Sequence, residues 1–197
     1  MKKIALMVML ISCTLILQGC VAAVIGVGAG ATAKVATDPR TAGTQVDDTT
    51  LSSRMSMKIK NNGPLFIGSR IITSSYNGNI LLTGQANNEQ AEKAQSLAYQ
   101  VEGVKKVYNQ IRIGEPVGAG TITNDAWITT QVKSQLILDS QTKARNIKVV
   151  TENSEVFLIG IVTSQEGKTA AELASKVQGV KKVVTLFTDI NQSQKRD

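Results

Sequence analysis

Gly103-Val104-Lys105-Lys106-Val107 returns 76 residues later as Gly179-Val180-Lys181-Lys182-Val183. The same offset pairs Ile71 with Ile147, Asn77 with Asn153, Leu82 with Leu158 and Gly84 with Gly160. It also pairs Ala94, Leu97, Ala98 and Val101 with Ala170, Leu173, Ala174 and Val177. Asp48 and Leu51 match Asp125 and Ile128 at an offset of 77, so one residue is gained or lost in a loop. Self-similarity at a fixed period marks repeated structural units. Two modules are predicted, residues 46–115 and 124–192. A linker at 116–123 carries Pro116, Gly118 and Gly120.

Each module reads αββαβ. A helix opens it, with Asp48 or Asn124 as the expected N-cap. Leu51, Met55 and Ile59 form one apolar stripe, and Ile128, Val132 and Leu136 form its counterpart. A hairpin follows. Ile71–Ser75 and Asn79–Thr83 flank Tyr76-Asn77-Gly78, and Asn-Gly is a strong signal for a two-residue turn. In the second module Ile147–Thr151 and Glu155–Ile159 flank Glu152-Asn153-Ser154. A second helix spans about 88–102 and 164–178, ending at Gly103 and Gly179, where a left-handed residue is expected. The closing strands are 104–113 and 180–190. The predicted fold is α+β: two tandem modules, each a three-stranded mixed sheet packed against two helices. About 70 residues suffice for one small core.

The chain begins with Lys2-Lys3, an apolar run from Ile4 to Leu17, then Leu17-Gln18-Gly19-Cys20. The run is short for a membrane span of about 20 residues and has the pattern of a removable secretory signal. Its end resembles a lipobox, which implies a signal peptide at 1–19 and lipidation at Cys20. Val21 follows, not the Asp common in inner-membrane lipoproteins, so the resemblance implies the outer membrane. Residues 20–45, rich in Ala, Gly, Val and Thr, read as a lipidated flexible tether, and 193–197 as a tail. Of the two cysteines, Cys13 leaves with the signal and Cys20 is blocked. Loss of Lys2 and Lys3 leaves 20 basic against 15 acidic residues, a net charge near +5. In an envelope compartment that balance points to anionic headgroups or acidic polymers, not nucleic acid.

The sequence contains no histidine. Histidine-built zinc sites and Ser-His-Asp or Cys-His sets are therefore excluded. Asp47 and Asp48 are explained by a helix start, and Glu152 and Glu155 read as solvated turn residues. Gly84 and Gly160 read as structural, serving a turn or a close helix–strand approach. No enzyme activity, cofactor or metal is expected.

The organisation resembles the BON domain family. The marks are Gly84 and Gly160 at the end of each hairpin and the helix ending in Gly-Val-Lys-Lys-Val. Two such modules behind a lipobox resemble the dual-BON outer-membrane lipoproteins. Ala36-Thr37-Asp38-Pro39-Arg40, Gly43-Thr44-Gln45-Val46-Asp47-Asp48 and Asn124-Asp125-Ala126-Trp127-Ile128-Thr129-Thr130 agree with them. The resemblance implies a protein that binds anionic phospholipid, collects at the division site and supports envelope integrity.

A binding site is best sought where the repeats diverge. Trp127 stands opposite Thr50, and Ile137 and Leu138 stand opposite Lys60 and Asn61. On a helical wheel Trp127 and Leu138 nearly eclipse, roughly 140° from the core stripe. Ser134, Thr130 and Ile137 lie on the same outer arc, with Lys133 at its flank and Lys143 and Arg145 beyond the helix. A second apolar face with basic flanks suits an anionic membrane of phosphatidylglycerol or cardiolipin. The alternative is that Trp127 packs on the other module. The lysine pairs read as solvated strand starts and stay outside this site. An envelope-protein adaptor using the same face is the second reading. A carbohydrate binder is the third, disfavoured by the single Trp and three Tyr.

Overall fold

The computed structural model describes residues 42–190, all within one compact unit. The signal, Cys20, most of the tether and the tail lie outside the described residues. The first module comprises α1 (Ala42–Asn61), a 3-10 turn (Gly63–Phe66), β1 (Arg70–Tyr76), β2 (Asn79–Ala86), α2 (Asn88–Tyr99), β3 (Lys106–Asn109) and β4 (Arg112–Ile113). The second comprises α3 (Ala119–Leu138), a 3-10 turn (Ala144–Asn146), β5 (Ile147–Glu152), β6 (Glu155–Val162), α4 (Ser164–Ser175) and β7 (Lys182–Asp189).

The hairpins form where the turn chemistry placed them. Asn77 and Gly78 have φ of 52° and 78°, and Asn153 and Ser154 have φ of 50° and 64°. Two consecutive positive-φ residues make the tight turn that matches strand twist. β1 pairs antiparallel with β2, and β5 with β6. The closing strands return parallel to β2 and β6, with Ile80 opposite Val107 and Val156 opposite Val183. Parallel return needs a crossover, which α2 and α4 provide. Each crossover helix opens with a reciprocal capping box, Asn87 with Gln90 and Thr163 with Glu166.

Alternation along the central strands builds two layers of core. Ile80 and Leu82 pack against α1 and α2 through Leu51, Met55, Ala94 and Ala98. Val156 and Leu158 do the same with Ile128, Val132, Ala170 and Ala174. The residues between them point the other way. Leu81 and Tyr76 meet Phe157, Ile159 and Leu186 in a third cluster. The two sheets therefore pack face to face, with each helix pair on its own sheet's opposite face.

Several details correct the sequence reading. α1 and α3 begin earlier than expected, so residues 42–45 of the tether and 119–123 of the linker are helical. Asp48 and Asn124 are thus not N-caps. Asp48 is buried inside the helix, and Asn124 lies beside the buried Asp125. α2 and α4 end at Tyr99 and Ser175, before the expected 102 and 178. Gly103 and Gly179 take φ of 88° in the turn that follows. The first module's closing strand is broken. Gln110 donates its backbone N–H to Leu82 at 2.8 Å, and Ile111 donates to the Asn109 side chain at 3.2 Å. Its sheet therefore has four strands, while the second has three.

Glu152 and Glu155 are not solvated. Glu152 is 4% exposed. Its carboxylate accepts from Arg70 at 2.6 Å and from Gln85 Nε2 at 2.8 Å, across the module boundary. Glu155 pairs with Arg112. Tyr76 donates its hydroxyl to the Asn146 carbonyl at 2.9 Å, and Lys148 donates to the Ser75 carbonyl at 3.0 Å. Polar contacts thus ring the apolar seam between the sheets.

Candidate functional site on the third helix

α3 turns Ile128, Val132 and Leu136 inward, where they are almost completely buried. At 3.6 residues per turn the remaining arc faces outward. Exposure there is 40% for Ile122, 46% for Trp127, 72% for Ile137 and 81% for Leu138. Four large apolar side chains share the water-facing side of one helix. Trp127 is therefore not buried against the other module. Ile122 lies outside the site expected from sequence, because that expectation begins the helix at Asn124. The Ala119-Gly120-Thr121 run gives little N-terminal signal, and the helix begins at Gly118 without a side-chain cap.

The polar side chains of this arc are muted. Thr130 donates its hydroxyl to the Ala126 carbonyl at 3.0 Å, and Ser134 donates to Thr130 at 3.0 Å. Thr123 donates to Ala119 at 3.1 Å. Hydroxyls bonded back into their own helix have satisfied their donors, so they lose little on leaving water. Between Ala119 and Leu138 the only ionisable residues are Asp125, which is buried, and Lys133, which is exposed. The outward arc therefore carries no negative charge. Lys143, expected as a basic flank, pairs with Glu166 at 3.1 Å. Arg145 is exposed.

α1 shows the contrast. Thr50, Lys60 and Asn61 occupy the positions of Trp127, Ile137 and Leu138. Both helices cover the same type of sheet, so the added apolar bulk is not a demand of the fold.

Gly84 and Gly160 sit within β2 and β6, against backbone at the start of the neighbouring strand and not at a turn or a helix. A Cβ on Gly160 would lie 2.2 Å from the Asn146 carbonyl oxygen, and one on Gly84 would lie 1.9 Å from that of Arg70. Among the described residues no three His, Cys, Asp or Glu side chains gather as a metal site. No described helix is long and apolar enough to cross a membrane.

The sequence profile of the BON domain matches residues 47–115 and 124–188. Outer membrane lipoprotein DolP of Haemophilus influenzae is 47% identical over 188 residues, covering 95% of both chains. The 21 kDa hemolysin of Actinobacillus pleuropneumoniae is 48% identical over 151 residues, 76% of this chain and 78% of that one. Osmotically-inducible protein Y of Escherichia coli is 33% identical, covering 53% of this chain and 54% of its own length. Two BON modules and near full-length similarity to an outer membrane lipoprotein place this chain in the BON domain family, as an outer-membrane lipoprotein of the DolP family.

Proposed function

We propose that α3 is a membrane-docking helix that binds anionic phospholipid, phosphatidylglycerol or cardiolipin, beside the chain's own lipid anchor at Cys20. The observation that carries this reading is the outward arc of Ile122, Trp127, Ile137 and Leu138, with its hydroxyls bonded back and no acidic group. Burying a large apolar side chain contributes about 2–3 kcal/mol. Trp127 is already half covered, so docking adds roughly half of that from this residue. A modest face suffices when an anchor holds the module near the bilayer, because tethering raises its effective concentration. Lys133 at the edge of the arc adds attraction to anionic headgroups. On this reading the protein concentrates where such lipids do, including the division site, and supports envelope integrity.

Flotation of residues 21–197 with phosphatidylglycerol vesicles tests the docking helix. Binding is expected to be lost in Trp127→Glu with the thermal melt unchanged, and kept in Thr50→Glu. A Trp127→Glu chain that melts early or floats normally removes the assignment. Face-dependent capture of an envelope protein without lipid binding would favour the adaptor reading. The anchor is tested separately: Cys20→Ala should take up no palmitate analogue.

A further inference from the structure

The lysine pair of the second module, Lys181-Lys182, is in a different state from its repeat partner Lys105-Lys106. In the first module the Lys106 ammonium and the Lys105 stem each have a local contact. The Lys106 ammonium lies 4.6 Å from the centre of the Tyr108 ring. The Lys105 stem lies over Gly78, where an added Cβ would come within 3.0 Å of its Cγ and Cδ. Neither arrangement is available in the second module, because Val184 stands at the Tyr108 position and Ser154 at the Gly78 position. Both lysines are exposed, and among the described residues neither ammonium pairs with a carboxylate. Glu155, opposite Lys182 in the sheet register, is committed to Arg112.

The two lysines border a groove of about 430 Å³ between α4 and the start of β7. Ala171, Val180 and Val183 give it apolar walls, and Glu172 and Ser175 lie along the helix side. In the first module Tyr99 stands at the Ser175 position. Charge diverges in the same sense. Residues 172–182 carry Lys176, Lys181 and Lys182 against Glu172, whereas 96–106 carry Lys105 and Lys106 against Glu102.

This turn is fixed to the proposed docking helix. Lys181 donates its backbone N–H to Ser154 at 2.9 Å, and Ser154 donates to the Asp125 carboxylate at 2.8 Å. A Cβ on Gly179 would lie 3.3 Å from Ile128 Cδ1. In the first module Thr50 and Lys105 line one groove, and the repeat puts Trp127 and Lys181 at those two positions.

We infer that the Lys181-Lys182 turn and its groove form the phosphate-binding edge of the membrane face, with the headgroup phosphodiester of an anionic phospholipid as the ligand. This rests on the docking-helix reading. Trp127 supplies the interfacial ring, the lysines supply the charge, and the apolar groove walls lie against the lipid below the headgroup.

The test uses residues 21–197 with vesicles of phosphatidylglycerol in phosphatidylcholine and vesicles of phosphatidylcholine alone. Lys181→Gln/Lys182→Gln should weaken binding to the anionic vesicles on the order of thirtyfold and flatten its salt dependence. Its melt should match the wild type. Lys105→Gln/Lys106→Gln should change binding less than about threefold. Unchanged binding by the Lys181/Lys182 variant, with Trp127→Glu still abolishing it, overturns the inference and leaves the docking helix standing. Equal weakening by both lysine pairs also overturns it, since bulk charge would then suffice. A wild-type chain that ignores anionic vesicles overturns both readings.

Discussion

The Asp125 carboxylate, in the middle of a helix, accepts the backbone N–H of Ser154 at the tip of a hairpin, 2.8 Å away. Its other oxygen accepts from Asn153 at 2.7 Å. Asp48 holds Asn77 and Gly78 at 2.7 and 2.8 Å in the first module. A single buried carboxylate thus satisfies two turn N–H groups and fixes each opening helix over its hairpin. In the second module it also fixes the bearing of Trp127 relative to Lys181.

Asp125→Ala is expected to destabilise the protein by about 3 kcal/mol, since hydrogen bonds to a charged group contribute about 1.5–3 kcal/mol each and the buried Ser154 N–H is left unpaired while that of Asn153 can turn to water. Asp48→Ala should cost a similar amount. Urea unfolding midpoints measure both, and a loss under about 1 kcal/mol would mean that water replaces the carboxylate.

Gly160→Ala should destabilise strongly, even without a charge. The added Cβ meets the Asn146 carbonyl, which ends the 3-10 turn, leads directly into the paired Ile147 and already accepts the Tyr76 hydroxyl, so it has little room to swing aside. Overpacking of this kind costs at least about 1–3 kcal/mol. Gly84→Ala adds a backbone penalty, because Gly84 has φ of 112°. A melt unchanged by either alanine would show that the strands separate there at little cost.

Glu152→Ala should loosen one module from the other. It strands Arg70 and Gln85 at the seam. Breaking a buried pair costs about 3–5 kcal/mol, and about 2–3 kcal/mol is expected here because Arg70 keeps 24% of its side chain in water. Hydrogen exchange should rise first at the facing residues Leu81 and Phe157. Faster exchange confined to the hairpin turns would argue against an interface role.

Glu166→Gln should flatten the acid limb of stability. Burial raises the Glu166 pKa, but the Thr163 backbone N–H, Lys143 and the Thr163 hydroxyl outweigh it and hold the carboxyl below its ordinary value of 4.5. A depressed folded-state pKa stabilises above the unfolded value and is lost as pH falls through the folded one. The wild type should therefore lose this contribution below about pH 4.5, and the variant should not. Gln90 performs the same capping in the first module, so the variant should keep its capping box and lose at neutral pH only the charge contribution that the wild type loses in acid. Parallel acid limbs would assign the pH dependence to other carboxylates.

The sequence alone determined the two modules, the αββαβ order, the core stripes and the outward bearing of Trp127, Ile137 and Leu138. Each of these is local or periodic: a repeat offset, an Asn-Gly turn, a spacing of four along a helix. The tertiary structure decided what depends on a partner distant in the chain. Asp48 resembled an N-cap because a short carboxylate suits both a helix end and a tertiary acceptor, and only the hairpin's position distinguishes them. Glu152 resembled a solvated turn residue until Arg70, 82 positions away, met it. The runs Ile80-Leu81-Leu82 and Val156-Phe157-Leu158-Ile159 put apolar side chains on both faces of the central strands. They did not say what covers the second face, because apolar burial is non-directional and the opposing sheet is known only once the chain is folded.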